Sequence, residues 1–296
     1  IEQKLKDEPP KKVKRDNKGF IENVAGAVIA TQVGNVQAVN IRKADKILKK
    51  IPDKLLSAAS NKTEVIPLLY SLIIAGSKET KLISTLQKRI VSEKYGKEFS
   101  INNLKNKIDV IKQLDISLRL PLFNLIIPYI KQLSENERGK VSSCARGLSL
   151  ADGTITTFEI AILQILKSAL NDKDESFGSN DIENECRSLC VVISFIASKG
   201  KMSKTETKKA VEKGLSVCRK SLIFSKVSNK LIPYDEVKSE DVLKSLNTLS
   251  NSSFKKKEVF LNAFSETINF DKKVTTQEKE LQVAIFEALG CPHPKV

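Results

Sequence analysis

Two carboxylates seven residues apart raise the question of chemistry in this sequence. In "ADGTITTFEIAILQIL" (151–166), Asp152 precedes Glu159, with an Asp-Gly turn and two threonines between them and an apolar helical run after them. The string "FDKKVTTQEKEL" (270–281) repeats the pattern. Asp271 stands for Asp152, Thr275 and Thr276 for Thr156 and Thr157, and Glu278 for Glu159. Hard cations such as Ca²⁺ want several carboxylate and carbonyl oxygens around them, which is one use for such residues. The other use is structural: Asp-Gly makes the turn, Thr156 caps the next helix, and Glu159 reaches back to close a capping box. The same spacing recurs as Ser134–Glu137 and Ser203–Glu206, so local chemistry favours the capped turn. Lys272 replaces Gly153 in the second copy, which argues against a special backbone conformation at that position.

A second acidic stretch, "DKDESFGSNDIE" (172–183), imitates a calcium loop of the EF-hand kind. Asp172, Asp174, Ser176, Asn180 and Glu183 fall at loop positions 1, 3, 5, 9 and 12. The glycine, however, is one place late, and Phe177 occupies the point where the backbone must bend sharply. An exposed acidic loop between helices is the favoured reading; Asp172, Asp174 and Glu183 remain an alternative metal set.

Other chemistries have less to work with. The one histidine, His293, lies in the tail "CPHPKV" beside Cys291, on no helical face. A zinc hydrolase needs about three protein ligands, which this chain does not offer. Gly26, Gly34 and Gly76 lack the spacing of a phosphate loop. The cysteines (Cys144, Cys186, Cys190, Cys218 and Cys291) are odd in number and lack zinc-finger spacing. They are expected to be reduced, structural thiols in a reducing compartment.

The formal charge of +15 suggests an anionic partner, but only eight of the 50 basic residues are Arg. Phosphate and base recognition lean on Arg forks, whereas Lys is a hydrated point charge. The lysines are scattered among acids, and there is no Trp to stack on bases. Solvated helix faces are the favoured reading, ahead of an anionic membrane surface or a nucleic-acid-binding scaffold.

The elements that must position these residues read as helices throughout. Residues 1–18 are charged, carry two prolines and are expected to be a disordered linker; the opening Ile1 suggests a piece of something longer. A helical region is expected over 19–133. It includes "TEVIPLLYSLIIA" and "RLPLFNLIIPYIKQL", which are apolar on most sides and hence central, with Pro128 bending or interrupting the latter. A second helical domain is expected over 134–296. Residues 149–170 align without gaps to 268–289, an offset of 119 that is too long for a solenoid and suggests one pseudo-symmetric domain. No alternating strand is found, so the class is all-α. No stretch approaches the roughly 20 apolar residues of a membrane span, so the chain itself is expected to be soluble.

The Asp-Gly-x-Ile-x-x-x-Glu string and its apolar helix resemble the TerB-like domain, an all-helical module with paired acidic elements. In order, "IPDKLLSAASNKTEVIPLLYSLIIA", "RLPLFNLIIPYIKQLS", "ADGTITTFEIAIL" and "KELQVAIFEALGCPHP" are similar to the C-terminal region of large bacterial membrane-bound zinc metallopeptidases related to HtpX. The likeness covers roughly residues 19–296. It implies a non-catalytic, cytoplasmic interaction or regulatory domain at the inner membrane, its partners being other parts of its own protease and other proteins. The zinc, the HExxH helix and the membrane spans belong to a protease part that this chain lacks, so no catalytic residue carries over. The TerB-like resemblance further implies a Ca²⁺ site where Asp152, Glu159, Asp271 and Glu278 converge. A free-standing TerB-like metal-binding or stress-response module is the alternative.

Overall fold

The stretch Val65–Ala75 offers a helix apolar residues on every side, and in the structure all but Ile66 are buried. It belongs to α2 (Lys62–Gly76), which is capped by Asn61 through a bond from Thr63 N at 3.1 Å and forms the hub of the first half of the molecule. The computed structural model describes residues 46–77, 85–95, 101–170 and 181–291. Among these residues the regular structure is a helical stretch at residues 46–48, the twelve α-helices numbered below and one 3₁₀ segment, with no strand. None of the helices is long and apolar enough to cross a membrane.

Against α2 pack α1 (Asp53–Ala59), α4 (Ile101–Gln113), α5 (Ile116–Ile130) and α6 (Glu135–Leu150), while α3 (Thr85–Tyr95) packs on α6. An amphipathic face on α4 seats Leu104, Ile108 and Ile111 against α2. Lys107, on the same helix, pairs with Glu64 at 2.5 Å and holds the Glu64 carboxyl below its usual range. In α5 the helix runs through both Pro121 and Pro128 to Ile130 without interruption. Pro128 removes the amide that would reach the Asn124 carbonyl, and the helix continues two residues past it.

The second half comprises α8 (Ile182–Lys199), α9 (Lys204–Lys220), a 3₁₀ segment (Ser225–Lys230), α10 (Ser239–Ser250), α11 (Phe254–Ile268) and α12 (Thr276–Leu289). The start of α8 is tied to α11 by Glu185, 3 % exposed, which accepts from Ser252 Oγ and from Lys256 Nζ, both at 2.6 Å. Helices α9 and α11 approach closely at Gly214. A Cβ there would overlap Thr267 Oγ1 and lie 3.0 Å from the Ala263 carbonyl.

Between the halves runs α7 (Thr157–Leu170). Phe158, Ile162, Ile165 and Leu166 enter the first core with α1–α6, while Ile160 and Ala161 enter the second with α8–α12. Every strongly apolar side of α7 is therefore used, as its near-continuous run of Ile, Leu, Ala and Phe requires. Its closest neighbour is α12, the other helix of the sequence repeat, which begins and ends at the matching positions.

Candidate functional site: two capped acidic turns

Each copy of the repeat builds the same turn from the same residue types. Asp152 Oδ1 accepts from Thr154 N at 3.0 Å, and Asp271 Oδ1 accepts from Lys273 N at 2.9 Å. A short acidic side chain that takes the amide two residues on folds the backbone over itself. The residue between lies in the left-handed region in both copies, Gly153 at φ 72° and Lys272 at φ 59°. The expectation that Lys272 marks a relaxed backbone is therefore corrected. The turn imposes its conformation whatever the residue, because the amide must face the aspartate, and Lys272 adopts it against its steric preference.

The helix starts follow. Glu159 Oε2 accepts from Thr156 N at 2.8 Å and from Thr156 Oγ1 at 2.7 Å, while Glu159 N donates to Thr156 Oγ1 at 3.2 Å. Thr275 and Glu278 repeat these bonds at 2.8, 2.8 and 3.2 Å. Capping boxes also form at Ser134–Glu137 and Ser203–Glu206. These two have exposed side-chain bonds, whereas Glu159 and Glu278 are 0 % exposed. Each buried glutamate uses one oxygen for its cap and leaves the other, Oε1, without a protein partner. Asp152 Oδ2 is orphaned in the same way. Burial pushes the Glu159 carboxyl up to about 7, the nearby Asp152 charge adds to the rise, and the Thr156 bonds restrain it.

The structure thus places Asp152 near Glu159 at one turn, and Asp271 and Glu278 at the matching turn of α12. Among the described residues no three His, Cys, Asp or Glu side chains gather in a group able to hold one ion. Any cation at Asp152 and Glu159 would have to complete its shell from carbonyls and water. Of the alternative set, Asp172 and Asp174 lie outside the described residues, as does His293. Glu183 sits in the first turn of α8, its amide held by Asp181 Oδ1 at 2.9 Å and its side chain paired with Lys230 at 3.3 Å.

Sequence reasoning missed the polar groups where α7 and α12 meet. Thr157 Oγ1 donates to Glu280 Oε2, and Glu280 is 4 % exposed. From α5, Arg119 Nη1 donates to the Ala75 carbonyl at 3.2 Å. Burial raises the Glu280 carboxyl, with the Thr157 bond and the Arg119 charge acting against that rise. The one available sequence signal was Glu280 itself, a charge where the first repeat has Ala161, a core residue.

All five cysteines are free, with four of them buried. Burial drives the thiols of Cys144 and Cys186 to about 11 and those of Cys190 and Cys218 to about 12. Thiols held this far up are poor nucleophiles. A surface cavity of about 310 Å³ lies between α8 and α10. Arg187, Lys244, Glu236 and Asp241 line it, a mixture of charges that selects no single ligand sign.

Comparisons with protein-family models, with curated proteins and with solved structures return no match for this chain.

Proposed function

We propose that this chain is a non-catalytic helical module, the C-terminal interaction or regulatory domain of a bacterial membrane-bound zinc metallopeptidase of the HtpX-like kind. In this reading it works on the cytoplasmic face of the inner membrane, docking substrates or protein partners beside the protease. The observation that carries it is the pairing of α7 with α12. Two helices that start from matching Asp-turn-Thr-x-x-Glu elements lie against one another, in keeping with the paired acidic elements of the TerB-like resemblance. The lysine-rich surface suits an anionic inner leaflet. Zinc belongs to the protease part, not to this chain.

Two measurements test the reading. Purified chain incubated with zinc and an unfolded protein substrate is expected to leave it intact; zinc-dependent cleavage by this chain alone overturns the non-catalytic role. The coding sequence immediately upstream of Ile1 is expected to encode membrane spans and an HExxH helix. Their absence there overturns the attachment to a protease.

A second reading, a divalent-cation module, rests on the buried and orphaned oxygens Asp152 Oδ2 and Glu159 Oε1. Calorimetric titration with Ca²⁺ tests it. Heat and a raised melting temperature, both lost in D152N and E159Q, support it; no heat and no thermal shift remove it.

A further inference from the structure

Where the two cores meet, buried polar groups interrupt the apolar packing. Leu120 of α5 touches both cores, and Val283 of α12 reaches the first. Between these contacts stand Arg119, Thr157 and Glu280. Arg119 and Glu280 lie near enough to influence one another's charge. No ion pair closes between them, and Arg119 Nε and Glu280 Oε1 are both buried without a protein partner. Buried charges that miss their contact hold elements together less well than apolar groups of the same size.

We propose that α12 is a releasable helix, seated on α7 by the Thr157–Glu280 bond and freed by parting of the Arg119–Glu280 seam. The proposal rests on the reading of the chain as an interaction module and gives it a moving part. When α12 leaves, Ile160 and Ala161 of α7 lose their cover, as do Leu281, Ala284, Ile285 and Leu289 of α12 itself. The seat it vacates fits one amphipathic helix carrying a carboxylate at the register of Glu280, since that is what fills it now. A partner helix of that kind competes with α12 for the same groove. Once off its seat, a 14-residue helix is marginal in water and frays, so release is visible as loss of amide protection.

Hydrogen exchange on the full chain is the test, because it reads release without needing a partner. In the parent protein the amides of α12 are expected to exchange at least about tenfold faster than those of α2 and α8, the margin that mispaired buried polar groups remove from a contact. In R119M/E280Q, which removes both charges but keeps an acceptor for Thr157, α12 exchange should slow by about tenfold while α2 is unchanged. If that double variant does not fold, the comparison of α12 with α2 and α8 in the parent protein decides the matter by itself. Parent α12 amides as protected as those of α2, or exchange unaltered in the double variant, overturn the release. Either outcome leaves the interaction reading to its own tests, since a module with a fixed α12 still docks partners through its outer surface.

Discussion

Thr157 and Glu280 are 123 residues apart in the chain and share a hydrogen bond where the two cores meet. Replacing that hydroxyl by a methyl strands a carboxylate already lacking a partner for its other oxygen. T157V is therefore expected to lose about 1–3 kcal/mol, the penalty for a buried group left unsatisfied. T157S, which keeps the hydroxyl, should lose much less. Urea unfolding of the three proteins measures this, and equal midpoints for parent and T157V would show that the bond contributes nothing.

Glu159 predicts a pH dependence with a definite sign. Its carboxyl titrates near 7 in the folded chain against an ordinary 4.5. A raised folded value means stability that is complete below about 4.5 and is lost as pH climbs through about 7. The loss amounts to about 3 kcal/mol at most, by the equivalence of one unit to 1.36 kcal/mol. Glu280 shifts in the same direction and adds to the slope. Melting temperature followed from pH 5 to 8 should fall in the parent and fall less in E159Q; identical slopes would separate Glu159 from the effect.

The paired turns make a reciprocal prediction about backbone strain. Lys272 holds φ 59° without the freedom of a glycine, and Gly153 holds φ 72° with it. K272G relieves a left-handed residue that carries a Cβ and should stabilise by up to about 1 kcal/mol, part of it offset by the looser unfolded chain. G153A imposes the same strain and should destabilise by about 1 kcal/mol. Thermal melts of both variants should move in opposite directions.

Thiol chemistry separates Cys291 from the other four cysteines. It is half-buried, with its Sγ 3.6 Å from the Leu289 carbonyl, whereas Cys144, Cys186, Cys190 and Cys218 are each 0 % exposed. With a chromogenic disulfide reagent the native protein should release one equivalent quickly, and the remaining four only on addition of denaturant. C291S should abolish the fast phase. Rapid reaction of two or more thiols in the native state would contradict the packing of α6, α8 and α9.

Local signals in the sequence carried much of this architecture. Ser134, Thr156, Ser203 and Thr275 each stand three residues before a glutamate, and each proves to cap a helix, because a capping box is closed by residues only one turn apart. The all-apolar stretch of α2 announced its own burial for the same reason. Lys272 misled because residue type reports preference, while its φ is dictated by an aspartate and an amide on either side. The relation of Arg119 to Glu280 was invisible because nothing near either residue in the chain specifies the other. Their relation exists only once α5 and α12 have been brought together by packing.

A helix that serves two cores also sets the size of the cooperative unit. Stripping away either half bares one flank of α7, so a cut near residue 134 or 170 would yield two sticky pieces in place of two domains. Phe158 and Ala161, three positions apart and facing different interiors, make α7 the spine through which damage on one side is felt on the other. For this chain, the foldable unit is larger than either core taken alone.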